Sequence, residues 1–150
     1  MARTIPPSIQ VSPERHTQIK AIAAALGNAS MSETIGHLVR LASDQGLIAS
    51  ELPGIRVNRL SDGIAIAFDG NGPTGFSFDG AAVLANGMNE IIEGNASVGT
   101  LIDLDHDFKL EKKGRGFKVT IPHNGEITKS FSYDVGRDFV AMISAALNAS

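Results

Sequence analysis

The spacing of apolar positions changes twice in the first third of the chain. Ser8, Ile9, Gln10, Val11 and Ser12 alternate polar and apolar, the two-residue period of a strand. Ile19, Ile22, Ala23 and Leu26 then recur at i, i+3, i+4 and i+7, and Ile35, Leu38, Val39 and Ala42 repeat that spacing. Two amphipathic helices are therefore predicted. Ser12 can cap free backbone N–H groups, Pro13 suits a first helical position, and Glu14 faces the positive end of the helix dipole. Gly27-Asn28 is the expected stop of the first helix. Ser30 or Ser32 caps the second, and Gly46 ends it. Each helix has one apolar stripe, so neither can stand alone, and the short strand before them lacks a partner.

Pro53-Gly54 breaks this pattern, and strands separated by glycine-containing turns follow. An internal repeat organises them. "GIRVNRL" (54–60) corresponds to "DFKLEKK" (107–113), "GIAIAF" (63–68) to "GFKVTI" (116–121), and "FSFD" (76–79) to "FSYD" (131–134). Helical segments, "GAAVLANGMNEIIEG" and "VGRDFVAMISAALNAS", follow both copies. The expectation is an α+β chain with residues 1–48 as one domain, 49–54 as linker, and 55–150 as a duplicated βββα domain with repeats at about 55–94 and 108–150. A further short strand is predicted at Leu101 to Asp105. The sheet would be one curved antiparallel sheet, or two facing ones, with both helices covering apolar faces.

Composition narrows the class. With 43% hydrophobic residues the chain can bury a core. No apolar run approaches the ~20 residues of a membrane span, and "MARTIPPS" has no apolar signal region. The absence of cysteine excludes disulfides, thiolate zinc sites and cysteine nucleophiles. A cytoplasmic protein of bacterial type is expected. The net charge of -3 lacks the basic excess common among nucleic-acid binders, so a DNA reading must rest on local charge and on a motif.

Such a motif is present. "SIQVSPE", the Ile19/Ile22/Leu26 stripe, Gly27 and "SMSETIGHLVRLA" together resemble the ribbon–helix–helix family of DNA-binding proteins, over residues 8 to 46. The resemblance implies that the strand pairs antiparallel with the same strand of a second subunit. It also implies that four helices form a shared core, and that the two-stranded ribbon enters the major groove. A homodimer through residues 8–46 and double-stranded DNA are then the expected partners, with no membrane, and with a higher oligomer left open. Alternation puts Ile9 and Val11 in the dimer core and Ser8 and Gln10 toward the bases. Gln10 is the stronger reader, because a carboxamide pairs bidentately with adenine. Pro6 occupies the next outward position, where the family commonly has a polar or basic residue. Arg3 and Thr4 are candidates for the DNA backbone. The amides of Ser30, Met31 and Ser32 match the family's phosphate clamp, because a helix start gathers free N–H groups.

Elsewhere the chemistry is sparse. Asp103 to Phe108 begins like a calcium loop, but Phe108 and Gly114 stand where glycine and glutamate are required. "GNGPTG" (70–75) joins two strands and opens no helix, unlike a phosphate-cradling loop. Lys112, Lys113 and Arg115, around the turn at Gly114 to Gly116, form a secondary basic patch. No catalytic constellation, metal site or cofactor motif emerges, and an enzyme is not expected. The leading reading is a dimeric sequence-specific DNA-binding protein, either a transcriptional repressor or a plasmid or phage accessory protein. Its second domain would oligomerise or bind an effector or protein partner. Two alternatives stay open. In one, the first domain only dimerises an inhibitor or antitoxin, since residues 1–54 set Arg3, Arg15, Lys20 and Arg40 against Glu14, Glu33, Asp44 and Glu51. In the other, the repeat binds single-stranded nucleic acid, as whirly and Pur-type domains of similar topology do.

Overall fold

A computed structural model describes residues 7–49, 52–95 and 99–149. The chain is α+β, with four helices and two antiparallel sheets, and it divides into two compact units, Met1–Ile48 and Ala49–Ser150.

The first unit holds α1 (Pro13–Ala25) and α2 (Met31–Asp44). Both begin at a serine cap. Ser12 Oγ accepts the Arg15 N–H at 3.3 Å, and Ser30 Oγ accepts the Glu33 N–H at 3.1 Å. Pro13 sits at the first helical position of α1. The chain leaves α1 through two left-handed residues, Gly27 and Asn28, and leaves α2 at left-handed Gly46. Residues 7–12 form no strand within one chain. A strand exists only through hydrogen bonds to a neighbour, and among the described residues no other segment of this unit forms a strand.

The second unit runs β1 (Ile55–Arg59), β2 (Gly63–Phe68), β3 (Thr74–Ser77), α3 (Phe78–Ile92), β4 (Thr100–Asp103), β5 (Phe108–Lys113), β6 (Gly116–Thr120), β7 (Thr128–Ser132) and α4 (Tyr133–Asn148). The sheets are β1-β2-β3 and β4-β5-β6-β7, each a meander. Leu52 packs on the core of this unit, and the Gly54 carbonyl accepts the Asp69 N–H at 2.7 Å.

Register ties the two sheets together. Ile55 pairs with Phe68 and Arg59 with Ile64 in the first. Leu110 pairs with Val119 and Lys112 with Phe117 in the second, the positions equivalent to Val57 with Ile66 and Arg59 with Ile64 in the first. Gly63 opposite Ser77 is matched by Gly116 opposite Ser132. At both glycines the facing carbonyl presses onto the backbone: a Cβ would lie 2.0 Å from Phe76 O in one case and 2.2 Å from Phe131 O in the other. Only glycine fits there. Both helices then start at the next residue, capped by Ser77 and Ser132, whose hydroxyls accept the Gly80 and Val135 N–H groups. The second aromatic of each motif, Phe78 and Tyr133, is therefore a first helical residue. The helices begin two residues earlier than the hydrophobic pattern indicated, because a serine cap outweighs the β-propensity of one aromatic.

One core serves both halves. It is built from Ile64, Ile66 and Phe68, from Phe108, Leu110, Phe117, Val119 and Ile121, and from the inner faces of both helices. Phe131 stacks on Phe117 and Phe139 at centroid distances of 5.4 and 5.0 Å, while Phe68 meets Phe131 and Phe139 edge-on. The helices also cross between halves: α4 packs on β1 and β2, and α3 reaches β5. Arg59, at the end of β1, donates to the carbonyls of Ala146 (2.7 Å) and Leu147 (2.9 Å) in the last turn of α4. These are carbonyls that a helix end leaves unpaired, at the negative pole of its dipole. The guanidinium also lies 4.5 Å from the centre of the Phe78 ring.

Candidate nucleic-acid interface

Ser8 and Gln10 lie in the segment preceding α1 and are exposed, as are Ile9 and Val11. Ile9 is 82% exposed, an extreme value for a branched aliphatic side chain. Arg3 and Thr4 fall outside the described residues. Ser30, Met31 and Ser32 are exposed at the start of α2. The Glu33 N–H is taken by Ser30 Oγ and the Thr34 N–H by Ser30 O, so the Met31 and Ser32 amides remain directed outward from the helix end. Thr34 closes this turn: its hydroxyl, fully buried, donates to Ser30 O at 2.8 Å.

The apolar stripes of this unit are largely uncovered. Leu26, Met31, Ile35, Val39 and Leu41 are exposed, and among the described residues only Ala23, Thr34 and Gly36 are buried within the two helices.

The basic patch predicted at Lys112, Lys113 and Arg115 lies on the β5–β6 hairpin, where all three are exposed. Lys109 and Lys118 join it. Alternation along β5 puts Lys109, Glu111 and Lys113 on one face, and the register sets Lys118 directly opposite Glu111. Three ammonium groups thus surround one carboxylate: Lys109 Nζ at 3.4 Å, Lys118 Nζ at 3.5 Å and Lys113 Nζ at 3.6 Å. Partial burial works to raise the Glu111 carboxyl, but Lys109, Lys118 and Lys113 outweigh it and hold the group below the usual carboxylate range. Sequence reading missed Lys109 and Lys118. The pairing across the Gly114-Arg115 turn was the signal that could have found them.

The opposite end of this sheet is acidic. Asp103 accepts from the His106 backbone and ring at 2.9 and 3.2 Å, and Asp107 accepts from the His123 backbone at 3.1 Å and pairs with its ring. The stretch that begins like a calcium loop is thus a β4–β5 turn with histidine partners. Among the described residues no three His, Asp or Glu side chains converge as metal ligands. On the outer face of the first sheet a depression of about 190 Å³ is lined by Arg56, Asn58, Ala65, Ala67 and Pro73. Every phenylalanine and the single tyrosine are buried or half-buried, so no aromatic platform for base stacking is exposed. No described helix is long and apolar enough to cross a membrane.

No protein-family model, curated protein sequence or solved structure matches the chain. The functional reading therefore rests on the residues themselves.

Proposed function

We propose that this chain is a dimeric DNA-binding protein of the ribbon–helix–helix type, acting in the cytoplasm as a transcriptional repressor or as a plasmid or phage accessory protein. One observation carries the reading. The first unit leaves Leu26, Met31, Ile35, Val39 and Leu41 exposed and buries only three residues in its two helices among those described. A unit of this size with so small a core does not hold itself folded. A second copy, laid against it by twofold symmetry, covers both apolar stripes and supplies the strand that residues 8–12 need. In that arrangement Ile9 and Val11 turn inward, Ser8 and Gln10 face the major groove, and the Met31 and Ser32 amides meet phosphate. The second unit oligomerises the dimer or binds its effector or partner.

Sedimentation of the full chain is expected to give a dimer, and Val39→Asp, which buries a charge in the proposed interface, a monomer. On a site selected from a random DNA pool, the double variant Ser8→Ala/Gln10→Ala is expected to lose discrimination by roughly 1–3 kcal/mol per base contact. A monomeric wild type at micromolar concentration, or unchanged discrimination in the double variant, would remove the reading.

A further inference from the structure

We propose that the outer face of the β4-β5-β6-β7 sheet, at its hairpin end, is a second nucleic-acid contact that grips the phosphate backbone without reading bases. The chain has thirteen lysines and arginines and a net charge of -3, yet five of these cations fall between residues 109 and 118: Lys109, Lys112, Lys113, Arg115 and Lys118. Glu111 is the only acid among them. Its carboxylate, 17% exposed, holds three lysine ammoniums together within 3.6 Å. Like charges on one rigid sheet repel, and an internal anion lets them converge before a ligand arrives. Each ammonium has three donors and the carboxylate cannot occupy all nine, so the cluster keeps both net positive charge and free N–H groups.

The ligand class follows from what else the face carries. With every aromatic ring at least half-buried, base stacking is absent. The depression of about 190 Å³ lies on the face of the other sheet. The face offers a cluster of exposed and partly exposed lysines, suited to repeated phosphates as point charges. The acids Asp103, Asp105, Asp107 and Glu126 sit at the far end of the same sheet, in the β4–β5 turn, at its edge and in the β6–β7 connection. They confine a polyanion to the hairpin end.

The test uses the full chain and a fluorescently labelled duplex of random sequence, with binding followed by anisotropy across a salt series. Lys109→Ala/Lys113→Ala/Lys118→Ala is expected to lower the slope of log affinity against log salt by about two to three units. Glu111→Gln should do the reverse, tightening binding and steepening the slope by about one unit. Misfolding cannot produce that gain, and thermal melts of each variant report folding directly. Unchanged slopes in both variants would overturn the proposal. So would displacement of the probe by polyglutamate as readily as by unlabelled DNA of equal charge, which would assign the face to an acidic protein. Failure of the ribbon reading leaves the slope differences intact, because each variant is compared with its parent.

Discussion

Replacing Gly116 with alanine should damage the second unit far more than its size suggests. Gly116 pairs with Ser132 across β6 and β7. An added Cβ would sit 2.2 Å from the Phe131 carbonyl oxygen and 3.2 Å from its carbon, where ordinary contact begins at 3.4 Å. The neighbour is backbone, so no side chain can swing aside and the strands themselves must part. Parting them weakens the ladder hydrogen bonds on either side, at about 1 kcal/mol each. It also disturbs the stacked Phe117–Phe131 pair, 5.4 Å between centroids, for about another 1 kcal/mol. The sum is about 3 kcal/mol, at the upper end of ordinary overpacking. For a unit of about 100 residues this corresponds to a fall in Tm of roughly 12–24 °C. Gly75→Ala is the internal control. It adds the same methyl to a strand glycine with nothing within 4 Å, and should be neutral or stabilising by about 0.5 kcal/mol. Calorimetry of both variants decides the matter. If Gly116→Ala melts within about 2 °C of Gly75→Ala, the steric account of the paired glycines is wrong.

Two further predictions concern side chains. Arg59→Leu removes two donors from the last turn of α4 and the cation above Phe78, and should cost about 1–3 kcal/mol in denaturant unfolding. A double-mutant cycle with Phe78→Leu should return a coupling of about 0.5–1 kcal/mol; a coupling of zero would dismiss the cation–π contact. For Asp107, the His123 ring and backbone hydrogen bonds hold the carboxyl below the ordinary aspartate range. A group whose pKa is depressed by folding stabilises above its unfolded value and loses that contribution as pH falls through the folded value. Wild type should therefore exceed Asp107→Asn in urea midpoint at neutral pH, and the two curves should converge below about pH 4. The left-handed backbone at this position suits asparagine as well as aspartate. Parallel curves across the whole range would contradict the assignment.

What could be read from the sequence was what depends on near neighbours. Ser12, Pro13, Ser30 and the left-handed Gly27 and Gly46 announce the helix ends of the first unit, because capping acts over three or four residues. The parallel order of "GIAIAF" and "GFKVTI" predicts equivalent strands, and Gly63 and Gly116 stand opposite Ser77 and Ser132 in the two registers. α3 and α4 start earlier than the hydrophobic pattern indicates, because Phe78 and Tyr133 read as strand residues until Ser77 and Ser132 are recognised as caps. Of the lysines around Glu111, Lys113 stands out in sequence beside Lys112 and Arg115, whereas Lys118 reaches Glu111 only through strand pairing. Arg59 gave no signal at all. Its acceptors lie 87 and 88 residues further on, and nothing local marks an arginine as a cap for a helix so distant.

That separation also sets a timetable for the growing protein. At the usual 5–20 residues per second of synthesis, the 87 residues between Arg59 and Ala146 take roughly 4–17 s to appear. Throughout that interval Ile55, Val57 and their neighbours in β2 have strand partners but no α4 to lie beneath. Before the last helix arrives α3 can cover only β2 and β3, so the β1 side of the first sheet is the part open longest to chaperones or to other nascent copies.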